Sequence, residues 1–154
     1  MRTDDTATDV LSAEGLRIGV VTALFNSSIT EGLKEGALEY LSEAQADEVF
    51  VVDAPGAFEL PLIAAALTRA GVHAVVCLGA VIEGDTDHYA HVAHRASEGL
   101  MRVQIDTGIP IAFGILTVRD LADAETRSAP GPDNKGREAA HAAVMTALTL
   151  KAIG

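Results

Sequence analysis

The sequence predicts an α/β fold: a three-layer sandwich in which helices cover both faces of a four-stranded parallel sheet. Three observations lead there. Four short runs, "LRIGVVTAL", "DEVFVVDA", "HAVVCLGAVI" and "IPIAFGILT", are apolar and rich in β-branched residues, as strands are. Between them lie segments whose apolar residues recur three and four apart, the period of a helix packed on one side. Strands alternating with helices of this length require right-handed crossovers and hence a parallel sheet, for which the order 2-1-3-4 of flavodoxin-like folds is expected.

Each element has its own warrant. The first 15 residues, "MRTDDTATDVLSAEG", are polar and acidic, lack the basic start and apolar stretch of a secretory leader, and are expected to form a mobile arm. Residues 16–154 then make one domain. The first run, over 16–24, is continuously apolar, which fits a strand covered on both faces. From Ser28 to Ala44, Ile29, Leu33, Gly36, Ala37, Tyr40 and Leu41 mark a helix. The second strand, over 47–54, leads through "PGAFE" to a helix from Leu60 to Ala70, with Gly71 as its stop. The third, over 73–82, precedes a long helix marked by Tyr89, Val92, Ala93, Ala96, Leu100 and Val103. The fourth strand is followed by a short helix over Val118 to Thr126, a Pro/Gly-rich loop, and a closing helix from Gly136 to Ala152.

Composition bounds the function. The chain has 154 residues, 49% of them apolar, enough for one core. Acidic residues outnumber basic ones 22 to 11, a net charge of −11 with no basic cluster, so nucleic acid and anionic membrane are poor partners. The one cysteine, Cys77, lies in an apolar run, which excludes a disulfide within the chain and points to the reducing cytoplasm. No apolar run approaches the roughly 20 residues that span a bilayer.

In open parallel sheets, ligands bind outside the carboxyl ends of the strands near the switch in strand order. "FNSS", "PGAFE", "GAVIEGDTDH" and "FGILT" land there, and they are rich in Gly, aromatic and carboxylate residues. "GAVIEGDT" has the glycine spacing of a phosphate-binding loop, but Asp85 stands where its lysine must be, which excludes nucleoside triphosphates. What survives is that Gly84 lets a ligand approach the backbone, and the amides of Asp85 and Thr86 can receive an anion; Thr86 or Asp87 reads equally well as a helix cap. His88, His91 and His94 follow. At about 100° per residue the first and last point ~120° apart, and no i, i+4 pair is present, so no metal site is read. His88, with Glu83, Asp85 and Asp87 near it in sequence, is a candidate general acid/base. Phe25 and Phe58, beside Asn26 and Glu59 at strand ends, suit a stacking surface. There is no G-x-S-x-G and no G-x-G-x-x-G after the first strand, so hydrolase and dinucleotide readings lose support.

Taken together, "FNSSITEGLKEGAL", "APGAFELPL", "LGAVIEGDTDHYAHV", "TGIPIAFGILT", Arg127 and "DNKGREAA" resemble the 6,7-dimethyl-8-ribityllumazine synthase family, in order and over nearly the whole chain from Leu16. The resemblance implies condensation of 5-amino-6-ribitylaminouracil with 3,4-dihydroxy-2-butanone 4-phosphate, releasing phosphate and water, in riboflavin biosynthesis, with no metal or organic cofactor. By the same resemblance Phe25, with Asn26 beside it, would stack on the pyrimidine. Glu59 and the backbone of Ala57 and Phe58 would hold the ribityl hydroxyls, and the backbone of Val81 and Ile82 would meet the pyrimidine edge. Gly84, Asp85, Thr86 and Arg127 would bind phosphate, and His88 would move protons. Lys135, and Phe113 from a neighbouring subunit, would complete the pocket.

The family forms pentamers with sites between subunits, and some members pack twelve of them into a 60-subunit shell. The seven-residue step from Arg127 to Asn134 is the compact spacing of shell-forming relatives and points that way; riboflavin synthase is a candidate partner. The chain departs from the usual pattern at Leu24 and Glu83, where the family places Arg, and at Ala54 and Asp133. Glu83 puts an acid beside the expected phosphate subsite, so weaker phosphate binding or altered subunit contacts are expected. It also motivates an alternative, a non-catalytic paralogue that binds a flavin or pteridine or forms a shell. A signalling domain with Asp53 as phospho-acceptor fits worse, because Leu24 and Phe25 stand where an acidic pair is needed.

Overall fold

The computed structural model describes residues 9–154. Four strands, β1 (Arg17–Ala23), β2 (Glu48–Ala54), β3 (Ala74–Ile82) and β4 (Ile111–Val118), form one parallel sheet in the order β2-β1-β3-β4. The helices are α1 (Ser27–Glu43), α2 (Leu60–Thr68), α3 (His88–Thr107), α4 (Leu121–Ser128) and α5 (Lys135–Ile153). The expected fold class and strand order are both present. The short helix starts later than expected: Val118 pairs with Ile82 as the last residue of β4, and the Asp120 carboxylate caps α4 by accepting the Asp123 amide at 2.9 Å.

Two cores flank the sheet. Ile18 and Val20 face α1, α4 and α5 with Leu33, Tyr40, Ala124 and Val144; Val21 and Ala23 face α2 and α3 with Leu60, Ala64 and Leu100. Strand periodicity alone explains this division, since successive side chains of β1 point to opposite faces. β1 and β3 are buried on both sides, whereas β2, with the same apolar signature, stays exposed along most of its length.

The helices α1 and α5 approach so closely that a Cβ at Gly136 would run into the Leu33 carbonyl, and one at Gly36 into the Asn134 side chain. A polar network fills this seam. Tyr40, fully buried, meets His141 Nδ1 through its hydroxyl at 2.9 Å and accepts the Leu11 amide at 3.1 Å. Arg137 lies over the Tyr40 ring at 5.4 Å and pairs with Glu39 at 3.2 Å and Glu43 at 2.9 Å. Of the arm expected over residues 1–15, the first eight residues lie outside the described residues. Residues 9–15 run beside α1, with the Ala13 amide donating to the Ala44 carbonyl at 2.7 Å and the Gly15 amide to Asp47 Oδ1 at 2.7 Å.

Asn134 links three segments. Its Nδ2 lies 3.0 Å from each of the Gly32, Ser128 and Ala129 carbonyls, and its Oδ1 caps α5 by accepting the Arg137 amide at 3.0 Å. Losing the cap costs about 1 kcal/mol and leaving buried carbonyls unmatched about 1–3 kcal/mol. Asn134→Ala is therefore expected to destabilise the fold by about 2–4 kcal/mol in urea unfolding. A loss no larger than a cap alone would show that the carbonyl contacts contribute nothing.

At the opposite end of the sheet, His73 Nδ1 accepts the Arg17 amide at 2.9 Å, which requires a neutral ring. Burial holds the His73 pKa below the ordinary 6.5, Arg17 and Lys151 push it the same way, and Asp47 opposes them. As pH falls below 6.5 the unfolded chain takes up this proton before the folded one, so stability drops through the window between the folded and unfolded values. His73→Asn, which offers an oxygen to the same amide, is expected to flatten the loss of stability between pH 7.5 and 5; an unchanged slope would refute the assignment.

Candidate active site

The sheet's own hydrogen bonding delivers the first wall of a cleft. Beyond the ends of β1 and β2, pairing continues as the Leu24 amide donates to the Ala54 carbonyl at 2.8 Å and the Phe25 amide to the Pro55 carbonyl at 3.0 Å. Asn26 then turns the chain into α1 with φ 63° and ψ 46°, a left-handed conformation that asparagine tolerates better than most residues. Its Nδ2 donates to the Ala80 carbonyl of β3 at 2.8 Å. Thus pinned, Phe25 stands 71% exposed at the rim.

The second wall comes from the segment after β2. Gly56 is extended, and a single 3-10 turn, Ala57–Glu59, leads into α2. A Cβ on Gly56 would touch the Glu59 carboxylate and the Phe25 side chain, so glycine keeps the space between them open. Phe58 is 60% exposed. The third wall is the start of α3, where the Thr86 hydroxyl accepts the His88 amide at 3.3 Å, while Asp87 occupies the cap position without a side-chain cap bond.

Together these walls enclose a cleft of about 540 Å³ lined by Phe25, Pro55, Gly56, Ala57, Phe58, Glu59, His88, His91 and Val92. That size suits a small polar metabolite with a ring. Two exposed aromatic rings offer stacking, Glu59 accepts hydrogen bonds, and the imidazoles can carry protons. Pro55 and Gly56 came with the "PGAFE" segment without a role of their own. His91 and Val92 were not placed in a site from sequence, although three- and four-residue spacing from His88 puts them on one helix face.

Other expected site residues are not among those lining the cleft. Val81 is buried and Ile82 half-buried on β3, paired with Thr117 and Val118. Gly84, Asp85 and Thr86 form an exposed loop. Arg127, in the last turn of α4, reaches back to the Asp123 carbonyl at 3.3 Å, and Lys135, opening α5, pairs with Glu138 at 3.1 Å. Neither lines the cleft. Phe113 sits in the middle of β4 opposite Cys77, in a separate groove of about 190 Å³ with Leu100, Met101 and Gln104.

The motif order agrees with the comparisons. The family model described as 6,7-dimethyl-8-ribityllumazine synthase matches residues 15–151. The chain belongs to the 6,7-dimethyl-8-ribityllumazine synthase family. It is 47% identical to 6,7-dimethyl-8-ribityllumazine synthase 1 of Caulobacter vibrioides over 141 residues, 89% of this chain and 92% of the relative. It is 42% identical to the Thermus thermophilus 6,7-dimethyl-8-ribityllumazine synthase over 151 residues, 96% of each chain. The family expected from the motifs is thus the family found.

Asn26, expected to touch substrate, directs its amide to β3, so its backbone conformation can be tested alone. Asn26→Gly loses the bond but takes up the left-handed conformation freely, whereas Asn26→Ala also bears a strain of about 1–2 kcal/mol. The alanine variant is expected to be the less stable of the two by thermal unfolding. Equal stabilities would remove strain as the reason for asparagine here.

Proposed function

We propose that the chain is a transferase that condenses 5-amino-6-ribitylaminouracil with 3,4-dihydroxy-2-butanone 4-phosphate to 6,7-dimethyl-8-ribityllumazine, releasing phosphate and water, and that the rim cleft is where it does so. The observation that carries the placement is the meeting of Phe25, Ala57, Phe58, Glu59 and His88 around one space. Phe25 stacks on the pyrimidine, Glu59 and the backbone of the 3-10 turn hold the ribityl hydroxyls, and His88 moves protons. An amine and a ketone already react, so holding them together supplies up to about 7–11 kcal/mol and a placed acid/base a further 10²- to 10⁴-fold or so.

The site is shared between copies in this reading. The cleft opens beside β2 at one edge of the sheet, and Phe113 is 43% exposed on β4 at the other. Head-to-tail contact between opposite edges closes a ring, bringing Phe113 of one subunit to the cleft of the next; exposed Phe50, Val51 and Val52 on β2 and Met101 and Ile105 on α3 provide apolar surface for it. The family's pentamer is the assembly proposed, with a shell as its larger form and riboflavin synthase as a partner that consumes the product. Gly84, Asp85 and Thr86 bind the phosphate with Arg127, and Lys135 completes the pocket. The cytoplasm is the proposed location; among the described residues no helix is long and apolar enough to cross a membrane.

An absorbance assay of lumazine formation, corrected for the spontaneous reaction, tests the reading. The protein is expected to exceed background, and Phe25→Ala and Arg127→Ala each to lower the rate at least about tenfold. Background rates from a folded oligomer that binds a ribityl analogue would instead favour the non-catalytic alternative.

A further inference from the structure

His91 adds something that the proposed roles do not use. It lies one helical turn after His88 on α3, and both imidazoles line the same cleft. The Asp87 carboxylate lies 3.4 Å from His91 Nε2, both side chains being exposed; Nδ1 has no partner among the described residues. The other charged neighbours leave it available: Arg95, one turn further, is engaged by Glu98 at 3.0 Å, and Glu59 stands among the residues lining the cleft.

We propose that His91, which lines this cleft one helical turn after His88, is a second proton-carrying side chain there, working with His88 in the loss of water from the condensing substrates. The proposal rests on the reading of the cleft as the condensation site. When the amine has added to the ketone, the adduct carries a hydroxyl and an N–H on adjacent carbon and nitrogen. Losing water breaks the C–O bond and forms C=N. The hydroxyl departs with its bonding electrons and takes a proton from the His91 imidazolium, while the nitrogen gives its proton to neutral His88. The donor and acceptor nitrogens of one imidazole point away from each other and cannot both reach adjacent atoms of the adduct, whereas two rings on one helix face can. Solvent reaching both exposed rings then restores the starting protonation.

The test is steady-state kinetics of His91→Ala and His91→Phe beside Phe25→Ala, with the rate in free imidazole alone subtracted. Both His91 variants are expected to lose about tenfold in kcat with KM for either substrate within about twofold, a smaller loss than a sole acid/base would give because His88 remains. Added imidazole should restore part of the His91→Ala rate and none of the His91→Phe rate, whose ring fills the space. Wild-type kcat in both variants, or a loss in His91→Ala that imidazole does not relieve, overturns the proposal while Phe25→Ala remains impaired. If Phe25→Ala is also fully active, the reading of the cleft falls with it.

Discussion

The rim depends on how β1, hydrogen-bonded to β2 and β3 at once, leaves the sheet. Its exit fixes nearly everything at the rim. Phe25 still bonds to the backbone after β2, so it is held in line with the sheet, and Asn26 must then reverse the chain sharply enough to lay α1 on one face. Because the segments after β2 and β3 enter helices on the other face, a gap opens between them. The cleft is that gap, and its walls follow directly on the ends of three strands. Loops of this kind can carry function without having to be stable on their own.

Stability and chemistry are kept on opposite faces. The buried polar groups, Tyr40, Arg137, His141 and Asn134, lie between α1 and α5, each with partners, and Thr22 Oγ1 is the one buried side-chain polar atom without one among the described residues. Such groups demand close matching because an unpaired one costs about 1–3 kcal/mol. Burial also raises the Tyr40 pKa, with the Leu11 amide and Arg137 opposing it, so the phenol enters this network neutral. The cleft face contains almost no such network. Its side chains point into solvent, free to exchange water for substrate.

The strands were legible because continuous apolar, β-branched runs have few other uses in a chain of this size. Local chemistry defeated the reading at the edges of elements. Val118 looked like the first apolar residue of a helix, but its place is settled by pairing with Ile82, a contact that sequence spacing does not contain. The apolar run of β2 correctly signalled a strand, yet nothing local told that most of its residues would stay exposed. In the site, Phe25, Phe58, Glu59 and His88 were recognisable because aromatic and titratable residues at strand ends stand out against an apolar background. His91 was set aside with the metal reading, although the same helical geometry that separates it from a zinc pattern puts it beside His88. Asn26 directs its side-chain amide to the Ala80 carbonyl of β3, and its left-handed turn leaves no mark on the sequence beyond a residue that tolerates it.

The exposure of the cleft also bears on its electrostatics. Glu83, Asp85 and Asp87 crowd the exposed loop before α3, in a chain already at −11. A phosphate arriving there meets several carboxylates, and in open water their repulsion is weakened by a screening length of about 8 Å at physiological ionic strength. Closing the cleft with a neighbouring subunit would remove that screening and strengthen both repulsion and attraction. Arg127 is held within its own helix by the Asp123 carbonyl and carboxylate, and as the proposed phosphate cation it would count for more in an assembly than in the single chain. On the proposed reading, ring closure between subunits and phosphate binding would be linked, because each would alter the dielectric surroundings of the other.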